Sequence, residues 1–213
     1  MIHELRTYTL VPGKQAEYLK LSAEIGRKVR GDDYGKLEGF WYSEFGTVNQ
    51  VVHLWTYSNL EERDRLRREL GRNEAWTKEY LPRTRALVVA QETKILSAAV
   101  ELTPPTDTDT GNVYELRWYR THTGKVAEWM SLFRGILPVR GRFMRRVGVW
   151  QTEIGPLNEV VHMWVFRDLN ERAAARAKLG QDPEWQAFLG ASTPLLAHMQ
   201  AVVLYPAAHS PMK

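Results

Sequence analysis

The chain is written twice. Glu4-Leu5-Arg6-x-Tyr8 returns as Glu115-Leu116-Arg117-x-Tyr119, and Gly13-Lys14-x-Ala16-Glu17-Tyr18 as Gly124-Lys125-x-Ala127-Glu128-Trp129, both at an offset of 111 residues. Further on, Gly39-x-Trp41-x-x-Glu44-x-Gly46-x-x-Asn49 matches Gly148-x-Trp150-x-x-Glu153-x-Gly155-x-x-Asn158 at an offset of 109. Val51-Val52-His53-Leu54-Trp55 matches Val160-Val161-His162-Met163-Trp164, and Trp76 matches Trp185, at the same offset. A duplication constrains the fold strongly, because each copy must be a supersecondary unit whose apolar surface packs on its twin. The change of offset places a single two-residue gap in the connection before the second strand. A Pro/Thr/Asp-rich run, unable to continue a helix or strand, separates the copies. The expected organisation is therefore a repeat over 1–98, a linker over 99–112 and a second repeat over 113–207.

Periodicity within each copy reads β-α-β-β-α-β, the order of a ferredoxin-like unit. In the first copy the expected strands are 2–10, 38–45, 49–57 and about 86–96. Helices are expected over 14–29 and from Asn59 to about Tyr80; the second-copy counterpart of the latter spans 168–189. Strand 49–57 carries Val52, Leu54 and Thr56 on one face and Val51, His53, Trp55 and Tyr57 on the other. Both faces are too apolar to be wet, so one covers helices and the other meets a second sheet. The expected fold class is α+β: two tandem βαββαβ repeats packed sheet to sheet as a barrel-like pseudo-dimer. The same surfaces could instead pair between chains in a homo-oligomer, and the residues alone leave that choice open.

Composition narrows the function. The sequence has no cysteine, which excludes disulfides, thiolate zinc sites and a thiol nucleophile. Net charge is +4 without a dense basic stripe, so no nucleic-acid partner is expected. The one cluster, Arg140, Arg142, Arg145 and Arg146, reads as a solvated turn. No apolar stretch is long enough to span a membrane, and the opening Met1-Ile2-His3-Glu4-Leu5-Arg6 is no secretory signal. A cytoplasmic location is the expectation. Phosphate loops, His-x-x-x-His spacing, clustered carboxylates and a nucleophile elbow are absent from the sequence, so neither a metal nor a cofactor is expected.

The residues able to do chemistry are those that recur. His53 and His162 stand mid-strand among apolar neighbours, two residues from a tryptophan. Such a histidine is a hydrogen-bonded core residue, a general base or ligand contact in a cleft, or an axial haem ligand. Arg6 and Arg117 share a strand face with Glu4, Tyr8 and their counterparts, as a structural ion pair or as a carboxylate- or phosphate-binding group. Trp41, Trp55, Trp150 and Trp164, with Tyr8 and Tyr119, are core or the walls of a pocket for a flat apolar ligand. Glu44 and Glu153 end the second strand, as turn caps or ligand contacts; hairpin geometry allows Glu44 only a diagonal approach to His53. Asn49 and Asn158 read as turn residues.

Taken together, the Glu-Leu-Arg-x-Tyr, Gly-Lys-x-Ala-Glu-Tyr, Gly-x-Trp-x-x-Glu-x-Gly-x-x-Asn and Val-Val-His-Leu-Trp runs and Trp76 resemble the NIPSNAP family across both repeats. The resemblance implies a dimeric α+β barrel, an architecture shared with antibiotic-biosynthesis-type monooxygenases, haem-degrading oxygenases and muconolactone isomerases. By that analogy the expected function is binding of a small apolar or aromatic molecule beside the sheet, with cofactor-independent oxygenation or isomerisation as the chemistry. His53 or His162 would be the base and Arg6 or Arg117 would steady an oxyanion. The rival expectation is a non-enzymatic interaction module presenting the charged helices; haem handling is a third.

Overall fold

A computed structural model describes residues 1–105 and 111–213; the rest of the expected linker, 106–110, lies outside the described residues. The first repeat runs β1 (Ile2–Leu10), α1 (Gln15–Leu21), a π-helical turn (Ser22–Gly26), α2 (Arg27–Arg30), β2 (Lys36–Phe45), β3 (Gln50–Tyr57) and α3 (Leu60–Leu70). A second π-helical turn (Ala75–Tyr80), α4 (Leu81–Arg85) and β4 (Val88–Val100) complete it. The second repeat runs β5 (Val113–Thr121), α5 (Val126–Gly141), β6 (Arg145–Ile154), β7 (Glu159–Phe166), α6 (Leu169–Gly180), α7 (Pro183–Ser192) and β8 (Leu196–Pro206). The single helices expected over 59–80 and 168–189 are each broken. Asn73 and Asp182 recap the chain there, each side chain accepting from the indole residue's backbone N–H (Trp76 or Trp185) at 3.1 Å, and Pro183 starts α7.

All eight strands close into one antiparallel barrel in the order β1-β3-β2-β8-β5-β7-β6-β4, so the two sheets pair within a single chain. Contacts β2–β8 and β4–β6 join the repeats. The Val52/Leu54 face is the one turned into the barrel, where it meets Leu5, Leu116, Met163, Leu204 and the rings of Trp41 and Trp150. The face with Val51, Trp55 and Tyr57 lies outside, under the helices of its own repeat. In the second repeat Val160, Trp164 and Phe166 do the same under α5 and α7.

The long repeated motif is architectural. Trp41 folds back over Gly39, where a Cβ would stand 2.0 Å from the indole, and Trp150 covers Gly148 in the same way at 2.3 Å. Gly46 and Gly155 have φ of 101° and 137°, and Asn49 and Asn158 take the left-handed conformation at 56° and 58°. These are backbone states that glycine reaches freely and asparagine tolerates, so the Gly-x-x-Asn spacing is a hairpin specification.

The offsets have a physical cause different from one gap in a connection. Tyr18 and Trp129 differ by 111, whereas the buried arginines Arg30 and Arg140, each lying over the tryptophan of its β3 or β7 strand, differ by 110. One extra residue is therefore absorbed by the first π-helical turn, and only one by the connection. A second is absorbed later. Leu87 and Leu195 occupy matching positions, accepting from Val11 N and His122 N, at an offset of 108, against 109 for Trp76 and Trp185. The second π-helical turn, which contains Trp76 and ends at Tyr80, falls in this interval. A π turn is one residue inserted into a helix, and it concentrates at functional sites.

Candidate functional site

Both π-helical turns belong to the first repeat, and they face each other. Ser22 Oγ and Tyr80 Oη are 3.0 Å apart, linking the two turns. Gly26 leaves room for the Tyr80 ring, whose Cε2 would lie 2.8 Å from a Cβ there. Between these turns and the outer face of β1, β2 and β3 is a cavity of about 350 Å³. Its walls include Tyr8, Tyr18, Phe40, Trp55, Trp76 and Tyr80, and His53 stands among them. In the second repeat Trp129 replaces Tyr18 and Phe133 replaces Ser22. Phe133 packs on Trp129 at 4.6 Å and approaches the His162 ring to 5.0 Å, with Phe188 6.0 Å from Phe133. The space over the second histidine is occupied by the protein's own aromatics.

The histidines share one hydrogen-bonding arrangement. Trp55 Nε1 donates to His53 Nδ1 at 2.5 Å, and Trp164 Nε1 donates to His162 Nδ1 at 2.7 Å. Burial, reinforced by the neighbouring arginine charges, holds both rings well below the usual histidine pKa, so both are neutral. A neutral ring that accepts at Nδ1 carries its proton at Nε2. Nε2 of each histidine is buried and has no partner among the described residues. At His53 that N–H belongs to a residue lining the cavity. This tautomer presents a donor at Nε2, where a general base would present an acceptor. It also disfavours an axial haem ligand at Nε2, since ligation there would require that proton to leave while Nδ1 still accepts from the indole.

Beside the histidine, Arg6 is fixed on both sides. Its Nε donates to Tyr8 Oη and its Nη1 to Glu4 Oε1, each at 2.8 Å. Glu4, fully buried, also accepts from Arg63 of α3 at 2.6 Å and lies 3.9 Å from Arg67. Burial alone would raise the Glu4 carboxyl, but the Arg63 hydrogen bond and the three guanidinium charges outweigh it and bring its pKa down to about 2. The second repeat repeats the cluster with Glu115, Arg117, Arg172 and Arg176. Part of the charged surface expected on these helices is thus turned inward to hold a carboxylate.

The remaining candidates separate. Tyr8, Trp55, Arg6 and His53 come together at the cavity. Trp164, Tyr119, Arg117 and His162 form the filled counterpart. Trp41 and Trp150 are in the barrel interior, on the opposite face of the sheet from the cavity. Glu44 and Glu153 are exposed near the hairpin tips, where Glu153 accepts from Ser97; His53 pairs in register with Phe40 and Arg6, so Glu44 does not reach it. Arg140 also departs from expectation. It is buried over Trp164 at 3.7 Å, because its aliphatic and planar parts complete the aromatic core of the second repeat.

Two residues went unnoticed in the sequence. Arg30 lies 3.3 Å over the Trp55 ring and lines the cavity. His209 reaches the same cavity from beyond β8, packing on Phe40 at 4.5 Å. The chain after β8 is pinned there: Ala207 N donates to Phe40 O, and Phe40 N donates to Ser210 Oγ. Reciprocally, Ala99 and Val100 at the end of β4 pack on the core of the second repeat. Each copy's last strand therefore finishes the outer layer of the other copy. The duplicated Arg/Trp pairing could have flagged Arg30; nothing local marked His209.

Comparison with known proteins agrees with this architecture. The family model NIPSNAP matches twice, over residues 3–101 and 114–211. The human protein NipSnap homolog 3A is 32% identical over 218 residues, covering 100% of this chain and 86% of that protein. The zebrafish (Danio rerio) NipSnap homolog 1 is 27% identical over 215 residues, covering 100% and 77%. Among solved structures, a candidate monooxygenase from Fusobacterium nucleatum superposes with a TM-score of 0.74 at 10% identity, covering 97% of this chain and 92% of that one. An anthrone oxidase-like protein does so with 0.69 at 12% identity, covering 98% and 92%. At such identities the likeness is one of fold.

Proposed function

The chain belongs to the NIPSNAP family, and we propose that it binds one small planar, largely apolar molecule per chain, in the cavity of its first repeat. The observation that carries this reading is the asymmetry between the copies. Two π-helical turns and Ser22 open the space that Trp129, Phe133 and Phe188 fill in the second repeat. A volume of about 350 Å³ walled by aromatic rings, with polar side chains converging among them, has the character of a small-molecule site. The His53 Nε2–H is the donor for an acceptor oxygen on the occupant, and Trp55 fixes the tautomer that makes it so.

The same donor set suits chemistry in which charge develops on a carbonyl or phenol oxygen, as in oxidation or isomerisation of an aromatic ketone. In this reading His53 steadies the oxygen and is not the base. The fold likeness to a candidate monooxygenase and an anthrone oxidase-like protein is compatible with such a substrate, but the aromatic lining is the argument.

The test uses methyl 2-naphthoate, a neutral planar probe with a carbonyl acceptor, followed by fluorescence titration. The wild-type protein should saturate at one probe per chain. Ser22→Phe, which installs the residue found at the matching position of the second repeat, should weaken binding by at least about tenfold while leaving the melting temperature within a few degrees. Unchanged binding by a folded Ser22→Phe protein would sink the assignment of the cavity.

A further inference from the structure

Resting on that reading, we propose that the molecule bound is an organic anion, an aromatic carboxylate or a compound of the same charge and shape, whose oxygens sit between the Arg30 guanidinium and the His53 Nε2–H. Five arginines line the cavity, Arg6, Arg27, Arg30, Arg67 and Arg85, and among the described residues no aspartate or glutamate does. Three of the five already have a carboxylate partner elsewhere. Arg6 and Arg67 share the single carboxylate of Glu4 with Arg63, and Arg27 pairs with Asp32 at 2.8 Å. Arg30 has no carboxylate partner among the described residues, although it is only 5% exposed.

Arg30 is also held ready. Its Nη2 donates to Tyr57 Oη at 2.7 Å and to Tyr34 O at 3.1 Å, and its plane lies over Trp55. Nη1 makes no hydrogen bond among the described residues, so one arm of the fork is unused. A buried guanidinium without a counter-charge is costly, and an anion brought into contact with it removes that cost while gaining charge-assisted hydrogen bonds. The same indole organises both donors, since its N–H fixes His53 and its face carries Arg30. In the second repeat Arg140 stands over Trp164 equally without a carboxylate among the described residues, enclosed by Phe133 and Trp185. That copy shows that the Arg–Trp–His group can form a core unaided. In the first repeat open space adjoins it.

The experiment compares 2-naphthoate with its methyl ester, which keeps the ring and the carbonyl but removes the charge. Wild-type protein should bind the carboxylate about 10- to 100-fold more tightly than the ester. Arg30→Met should abolish that preference while retaining ester binding, and Arg140→Met, the matched change in the filled repeat, should leave it intact. Arg30→Lys keeps a charge at the site and decides the matter if Arg30→Met fails to fold: it should retain a reduced preference for the carboxylate. Equal or tighter binding of the ester by the wild-type protein overturns the anion assignment and leaves the cavity reading standing. Binding of neither probe overturns both.

Discussion

Replacing Glu4 by Gln is expected to cost the protein about 3–5 kcal/mol, read as a lowered urea midpoint at unchanged slope. The substitution keeps the shape of the side chain and removes its charge. It thereby strands Arg6, leaves Arg63 with only the exposed Asp64 and weakens the hold on Arg67, all three of which converge on this one fully buried carboxylate. The strand–helix clamp between β1 and α3 goes with it. Glu115→Gln should behave alike, because Arg117, Arg172 and Arg176 repeat the arrangement. A loss below about 1 kcal/mol in both variants would mean that water reaches the cluster and screens it.

The same carboxylate sets the acid limit. A Glu4 pKa of about 2, against an ordinary 4.5, means that its contribution is complete above about pH 4.5 and disappears as the pH falls toward 2. His53 and His162 act earlier. Their folded pKa values lie well below 6.5, so the unfolded chain takes up protons first and stability declines once the pH drops below about 6.5. Wild-type stability should therefore fall in two stages. Glu4→Gln should show a shallower second stage, its stability converging on that of the wild type near pH 2.

Trp41→Ala is the second large effect, with an expected loss of about 3–5 kcal/mol by the same measurement. The indole is completely buried in the barrel interior, 5.3 Å from the Tyr114 ring of the other repeat, so the void opens at the seam where neither copy can collapse into it alone. Gly39→Ala attacks the same contact from below. Its new Cβ would stand 2.0 Å from Trp41, and an expected cost of about 1–3 kcal/mol follows from forcing the ring aside. Combined, the two changes should cost less than their sum, because with the indole gone the methyl group has space. Strict additivity would show that Gly39 is needed for some other reason.

Much of this was legible in the chain. The repeat, the β-α-β-β-α-β order and the alternation along β3 all follow from local rules, since strand side chains alternate with a period of two and turns demand particular backbone angles. The motif from Gly39 to Asn49 could be read as a unit for the same reason: every interaction that explains it is made within a few residues. The ion pair of Arg6 with Glu4, two residues away on one strand face, was within reach of the same reasoning. Its partners Arg63 and Arg67 were not, because no period relates a helix residue to the strand position it covers.

From the residue pattern alone it follows that two similar sheets exist, each with two faces that must be buried. That Val52 and Leu54 face the barrel interior and His53 and Trp55 face the helices is settled by packing between elements, since alternation defines two sides without saying which is which. Such packing also decided that one copy is open and the other filled. The difference rests on single inserted residues, which a helix absorbs as π turns without breaking its hydrophobic pattern, and on contacts across 58 residues such as Ser22 with Tyr80. Where His209 lands was likewise settled by closure of the barrel, which carries the end of one copy onto the cavity of the other.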